Sequence, residues 1–139
     1  MNTLRILSAT LLAAGFALTG CNKSPFNSDT QRERIADAAQ MTFPDSEPAE
    51  GDVVAVVQGK TLTLANQGDR AYRDVQVWVN RNFVREISSI APRAQFDLNL
   101  GEFFDSQGIK FTDQRAPVTD VNLFTNGELL TAGRPVVLE

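Results

Sequence analysis

The sequence predicts an all-β protein, a small antiparallel β-sandwich of about seven strands over residues 53–139. Three observations carry that expectation. From Val53 onward, apolar and polar residues alternate in short runs, the period that turns every second side chain inward along a strand. Gly, Pro, Asn and Asp separate the runs and mark turns. No segment in this region holds a 3.6-residue apolar period over the length of a helix.

The first two strands are VVAVVQ and KTLTLAN, joined at Gly59. RDVQVWVN follows, with Val75, Val77 and Val79 on one face and Asp74, Gln76, Trp78 and Asn80 on the other. FVREIS begins after only Arg81-Asn82, so the two runs read as a tight hairpin. AQFDLNL alternates again, turning Phe96, Leu98 and Leu100 inward. GEFFDSQG breaks the period-2 pattern and reads as a turn of helix between strands, before VTDVNLF and PVVLE. A small barrel is the alternative architecture.

The run LTLANQGDRAYRDVQVWVN, the turn at Ala91-Pro92 and AQFDLNL together resemble small immunoglobulin-like modules of bacterial envelope proteins. The resemblance spans roughly residues 60–100 and implies a sandwich of that type. Antibody-type domains carry a disulfide between their sheets. This chain has a single cysteine, so packing alone must hold the sheets together.

That cysteine lies elsewhere. MNTLR contributes one positive charge, residues 6–18 are apolar except for Ser8 and Thr10, and small residues lead into Cys21. A basic start, a short apolar core and a small-residue cleavage site describe a secretory signal, and the run is too short to span a hydrocarbon core. Leu18-Thr19-Gly20-Cys21 resembles the lipobox of bacterial lipoproteins. The resemblance implies that the Cys21 thiol receives a diacylglyceryl group and that cleavage precedes it. Each buried CH₂ contributes about 0.8 kcal/mol, so two or three acyl chains anchor a protein stably without spanning the bilayer. Asn22, where an aspartate would signal inner-membrane retention in enterobacteria, slightly favours the outer membrane, with the domain on the periplasmic side.

The expected organisation is a signal peptide over 1–20, a lipidated tether over 21–52, and the sandwich over 53–139. The tether composition is rich in Ser, Pro, Asn and acidic residues. Within it TQRERIADAAQM forms at most a short helix, with Ile35, Ala38, Ala39 and Met41 on one side. About 30 residues of coil would span roughly 30 Å on average and about 100 Å at full stretch.

Composition excludes much chemistry. Without Arg5 the chain carries 12 basic and 17 acidic residues, a net charge of −5 with no basic block, which argues against nucleic acid or a polybasic lipid contact. No histidine is present, so there is no Ser-His-Asp relay and no imidazole ligand. No cysteine beyond Cys21 is available for thiolate catalysis or a zinc cage. No phosphate-cradling glycine motif occurs. Lys60 and Lys110 are the only lysines of the predicted domain, and Asp97, Glu102 and Asp105 lie close in sequence. A pair of them would need a cleft between them to act on a glycoside. No enzymatic activity, metal or cofactor is expected.

Two stretches stand out. In FFDSQGIKF, Asp105 and Gly108 fit a calcium loop only loosely, lacking the DxDxDG spacing. The favoured reading is a turn in which Asp105 caps local amides, Gly108 takes positive φ, and Phe103 or Phe104 plugs the core. Tyr72, Gln76, Trp78 and Asn80 share one parity, so an open face would make them an aromatic-polar contact strip. The competing reading, which is favoured, covers Trp78 with the FFDSQGIKF segment. The function expected is a membrane-anchored envelope lipoprotein whose sandwich contacts another envelope protein. A module binding a glycan or small ligand is the alternative.

Overall fold

A computed structural model describes residues 28–139. Among them are one α-helix and nine strands in two packed sheets, an all-β sandwich with a helix laid on one outer face. The helix α1 spans Ser28–Gln40, with Asp29 in its first turn, where a carboxylate complements the helix dipole. The strands are β1 (Ala49–Glu50), β2 (Val53–Gln58), β3 (Thr61–Asn66), β4 (Tyr72–Val79), β5 (Phe83–Ile90), β6 (Gln95–Asn99), β7 (Val121–Thr125), β8 (Glu128–Gly133) and β9 (Val136–Leu138).

One sheet runs β1-β8-β7-β4-β5 and the other β6-β3-β2-β9. β2–β3, β4–β5 and β7–β8 pair antiparallel as neighbours in sequence, and β3–β6 and β4–β7 pair antiparallel across longer connections, but β1 pairs with β8 and β2 with β9 in parallel. The additional strands are β1, only two residues long, and β8. The latter follows β7 through Asn126-Gly127, both at positive φ (52° and 73°), the backbone a two-residue type I′ hairpin requires.

The core between the sheets takes in Val75, Val77, Val79, Leu98 and Leu100, the inward residues expected of β4 and β6 and the residue after it. Ala55, Leu62, Leu64, Val75, Val77, Val79, Leu98 and Leu123 are buried together. Alternation breaks once, and it matters for the site. Tyr72 and Ile90, paired across β4 and β5, lie in this inner core together with Val75 and Ile87. Tyr72 and Val75 differ in parity, as do Ile87 and Ile90. The break falls at Asp74, which adopts φ 48°. A left-handed residue inside a strand interrupts the alternation, so Val75 faces opposite to Arg73 and joins Tyr72 on the inner face. Arg73↔Ser89 and Val75↔Ile87 preserve the register on either side, so both strands change face together.

A second apolar layer covers the outside of the larger sheet. Ala38 of α1 is buried with Trp78, Val84 and Phe104, and Ile35, Met41, Phe43 and Phe124 pack around them. Residues 28–52 were expected as tether, yet their helix and Phe43 sit on the sandwich. The chain between β6 and β7 supplies both layers. It passes two short 3₁₀ turns, Leu100–Glu102 and Phe111–Gln114, and Phe104 bridges to Val84 of β5 (N···O 3.0 Å). Extended backbone there sends neighbouring side chains to opposite faces. Phe103 enters the inner core and Phe104 the outer one.

Candidate functional site

The predicted contact strip is not an open face. Tyr72 is only 2% exposed and lies between the sheets, carried there by the kink at Asp74. Trp78 is on the outer face but 3% exposed, with Phe43 edge-on at 5.5 Å between ring centroids. Its Nε1–H donates to Oε1 of half-buried Gln76 at 3.1 Å, which gives the buried indole its polar partner. Asn80 has left strand geometry (φ 52°) and knits the β4–β5 turn to the approach to β7. Its amide donates to the Pro117 carbonyl at 2.9 Å, while its Oδ1 accepts from the Thr119 backbone N–H at 2.8 Å. The four residues are therefore a core aromatic, a covered aromatic with its partner, and a turn clamp. Sequence parity located Trp78 correctly but could not see α1 and Phe43 as its cover, beside Phe104 from the expected segment.

The FFDSQGIKF turn takes the favoured form. Asp105 Oδ1 accepts from the backbone N–H groups of Gln107 and Ile109 at 2.9 and 2.8 Å. Gly108 has φ 81°. A Cβ added there would lie 3.0 Å from Ile35 Cγ2, so glycine also lets α1 approach this loop.

The remaining carboxylates are engaged one by one. Asp97 accepts from Thr63 Oγ1 across the β3–β6 pair at 2.7 Å. Glu102 is the centre of an ion triad: Arg34 of α1 reaches Oε1 at 2.5 Å and Arg85 of β5 reaches Oε2 at 2.6 Å. One carboxylate thus ties helix, sheet and 3₁₀ turn together. Arg85 is largely buried and its Nε finds no acceptor. Burial, then repulsion from Arg34, pushes its guanidinium below its ordinary value, while Glu102 opposes both. Among the described residues no cluster of three or more His, Cys, Asp or Glu could hold a metal ion, and no helix is long and apolar enough to cross a membrane.

A concavity lies beside this triad. It holds about 400 Å³ and is lined by Thr30, Gln31 and Arg34 of α1, Lys60 of the β2–β3 turn, and Asn99, Glu102, Lys110 and Thr112 near the 3₁₀ turns. Lys60 and Lys110 enter no ion pair among the described residues. Sequence reasoning noted Lys60 and Lys110 only as the lysines of the predicted domain. Their meeting in one cleft depends on the β6–β7 crossover, which no local pattern announces. No family model, curated protein or solved structure matches this chain.

A second exposed feature is β9. It is the outermost strand of the smaller sheet, and Val136, Val137 and Leu138 are 53, 62 and 47% exposed. Cys21 and the signal segment over 1–20 lie outside the described residues.

Proposed function

We propose that this protein is a lipid-anchored lipoprotein of the bacterial cell envelope whose β-sandwich is a non-enzymatic interaction module. The observation that carries the reading is Leu18-Thr19-Gly20-Cys21 directly behind the apolar run, with the only cysteine of the chain at the lipidated position. The resemblance of residues 60–100 to immunoglobulin-like envelope modules agrees with it. Support for a protein partner comes from β9, because an unpaired apolar strand edge is a template for pairing with another chain. Its three consecutive apolar side chains are open to solvent, which is uncommon for a strand with no partner.

Two experiments test the two halves. Cys21→Ser should abolish incorporation of labelled palmitate and leave an uncleaved precursor; unchanged labelling and processing would reject the anchor. For the module, a photoreactive residue at position 136 should give a discrete adduct with another envelope protein in intact cells, and Leu138→Lys should remove it. Equal adducts from position 136 and from exposed Gln114 would reject the β9 surface. The alternative, a ligand-binding module, is favoured by one observation only, the cleft that Lys60 and Lys110 share.

A further inference from the structure

The cleft at the start of α1 is basic in an otherwise acidic protein, which carries a formal net charge of −4. Arg34, Lys60 and Lys110 line it against a single carboxylate, Glu102. That carboxylate is already shared by two guanidiniums, Arg34 and Arg85, so it cannot neutralise the lysines. Thr30 and Thr112 add hydroxyl donors to the same wall. Cations with hydroxyl donors around an open concavity suit the oxygens of a phosphate or phosphodiester.

Position decides the source of that phosphate. If Cys21 carries the lipid, as proposed above, the docked helix begins only seven residue steps later, at Ser28. Covalent geometry limits those steps to about 25 Å even when fully extended. The cleft begins at Thr30, about one further half-turn along the helix. A neighbouring apolar groove is lined by Val57, Leu100, Phe111 and Val137 and shares Lys60 and Thr112 with the cleft, so this end of the sandwich offers charge beside apolar surface. An anionic bilayer attracts each nearby Lys or Arg by about 1 kcal/mol within a Debye length. Alone, two or three cations bind weakly. Behind a short leash, the anchor supplies a high effective concentration, and the same contacts become sufficient.

We infer that the Arg34-Lys60-Lys110 cleft docks on the anionic phospholipid headgroups of the bilayer that holds the Cys21 anchor. The lipid then fixes the orientation of the sandwich as well as its distance. This inference rests on the lipoprotein reading, and its test is arranged to be independent of cellular acylation.

Residues 21–139, which include every described residue, are coupled through the Cys21 thiol to a maleimide phospholipid. The vesicles are either a phosphatidylglycerol–phosphatidylcholine mixture or phosphatidylcholine alone. Amide hydrogen exchange at 59–61 and 110–112 is expected to slow on the anionic vesicles only. Lys60→Gln and Lys110→Gln should each lower the docking equilibrium about fivefold and together about 25-fold, the equivalent of about 1 kcal/mol per cation. Arg93→Gln, beyond the opposite end of β3 and paired with Asp69, should change nothing. Equal exchange on both vesicles, or an equal loss in Arg93→Gln, would overturn the inference. So would inorganic phosphate at matched ionic strength slowing the same amides on phosphatidylcholine, which would mark a small-anion site. Failure of palmitate labelling at Cys21 would instead reject the anchor, and it is read in a separate experiment.

Discussion

Trp78→Ala tests whether the outer layer is part of the folded unit. The indole is 3% exposed and sits among Ala38, Val84 and Phe104, with Phe43 edge-on at 5.5 Å. Truncating a buried Trp to Ala costs about 3–5 kcal/mol through lost burial and the cavity left behind. The edge-to-face contact contributes about 0.5–1.5 kcal/mol within that loss. The Nε1–H bond to Gln76 adds little, because half-buried Gln76 can turn to water. The 112 described residues form a unit whose total stability should be about 6–17 kcal/mol at the usual 0.05–0.15 per residue. The variant should therefore remain folded or nearly so, with a melting temperature lowered by roughly 12–20 °C at about 4 °C per kcal/mol. Far-UV circular dichroism is the assay, since Trp78 is the only tryptophan and the variant has no indole signal. In the unsubstituted protein the same residue should emit at short wavelength and resist acrylamide. A loss below about 1 kcal/mol, the range of a surface substitution, would refute the covered layer.

Three further substitutions test the outer layer and the FFDSQGIKF turn. Ala38→Glu places a carboxylate against Trp78 and Phe104 in the outer layer, where an unpaired charge costs several kcal/mol. The helix should release before the inner core yields, so Trp78 emission should shift red and become quenchable while the β-sheet dichroism persists; unchanged emission would show that α1 does not cover the indole. At the FFDSQGIKF turn, Asp105→Asn keeps an acceptor for the Gln107 and Ile109 amides and should cost under about 1 kcal/mol, whereas Asp105→Ala strands both and should cost about 2 kcal/mol or more by denaturant titration. Equal losses in the two variants would show that the cap is not what the carboxylate provides.

Much of the fold was legible because it rests on local rules. The strand runs around Val75-Val77-Val79 and Phe96-Leu98-Leu100 carry their own inside and outside. The Asn126-Gly127 turn is an equally local signal that the reading passed over, and β8 was missed with it because ELLTAG lacks clean alternation. Tyr72 failed for a different reason. Parity counting assumes unbroken strand geometry, and Asp74 at φ 48° breaks it without any signal beyond the tolerance of Asp for left-handed backbone. The cleft was beyond reach altogether. Its lysines lie 50 positions apart, and only the crossover from β6 to β7 brings them to one wall.

The misreading with the widest consequence concerns residues 28–52. Their averaged composition is that of a linker, and an isolated helix there would be marginal. Averages conceal Ile35, Ala38, Met41 and Phe43, which are too few to make an amphipathic helix but enough to cover one tryptophan. Whether such a helix forms is decided by its receptor rather than by its own propensity. That receptor is the outer face of β4 and β5, where Trp78 and Val84 would otherwise meet water. Docking the helix shortens the leash between a lipid on Cys21 and the folded unit from about 30 residues to the six at 22–27. Maximum reach falls from about 100 Å to about 25 Å. On the proposed anchor, a long tether would let the sandwich seek partners well away from the bilayer. If Cys21 carries a lipid as proposed, a leash this short would hold the start of α1, with Arg34 and the lysine pair beside it, within reach of the headgroups.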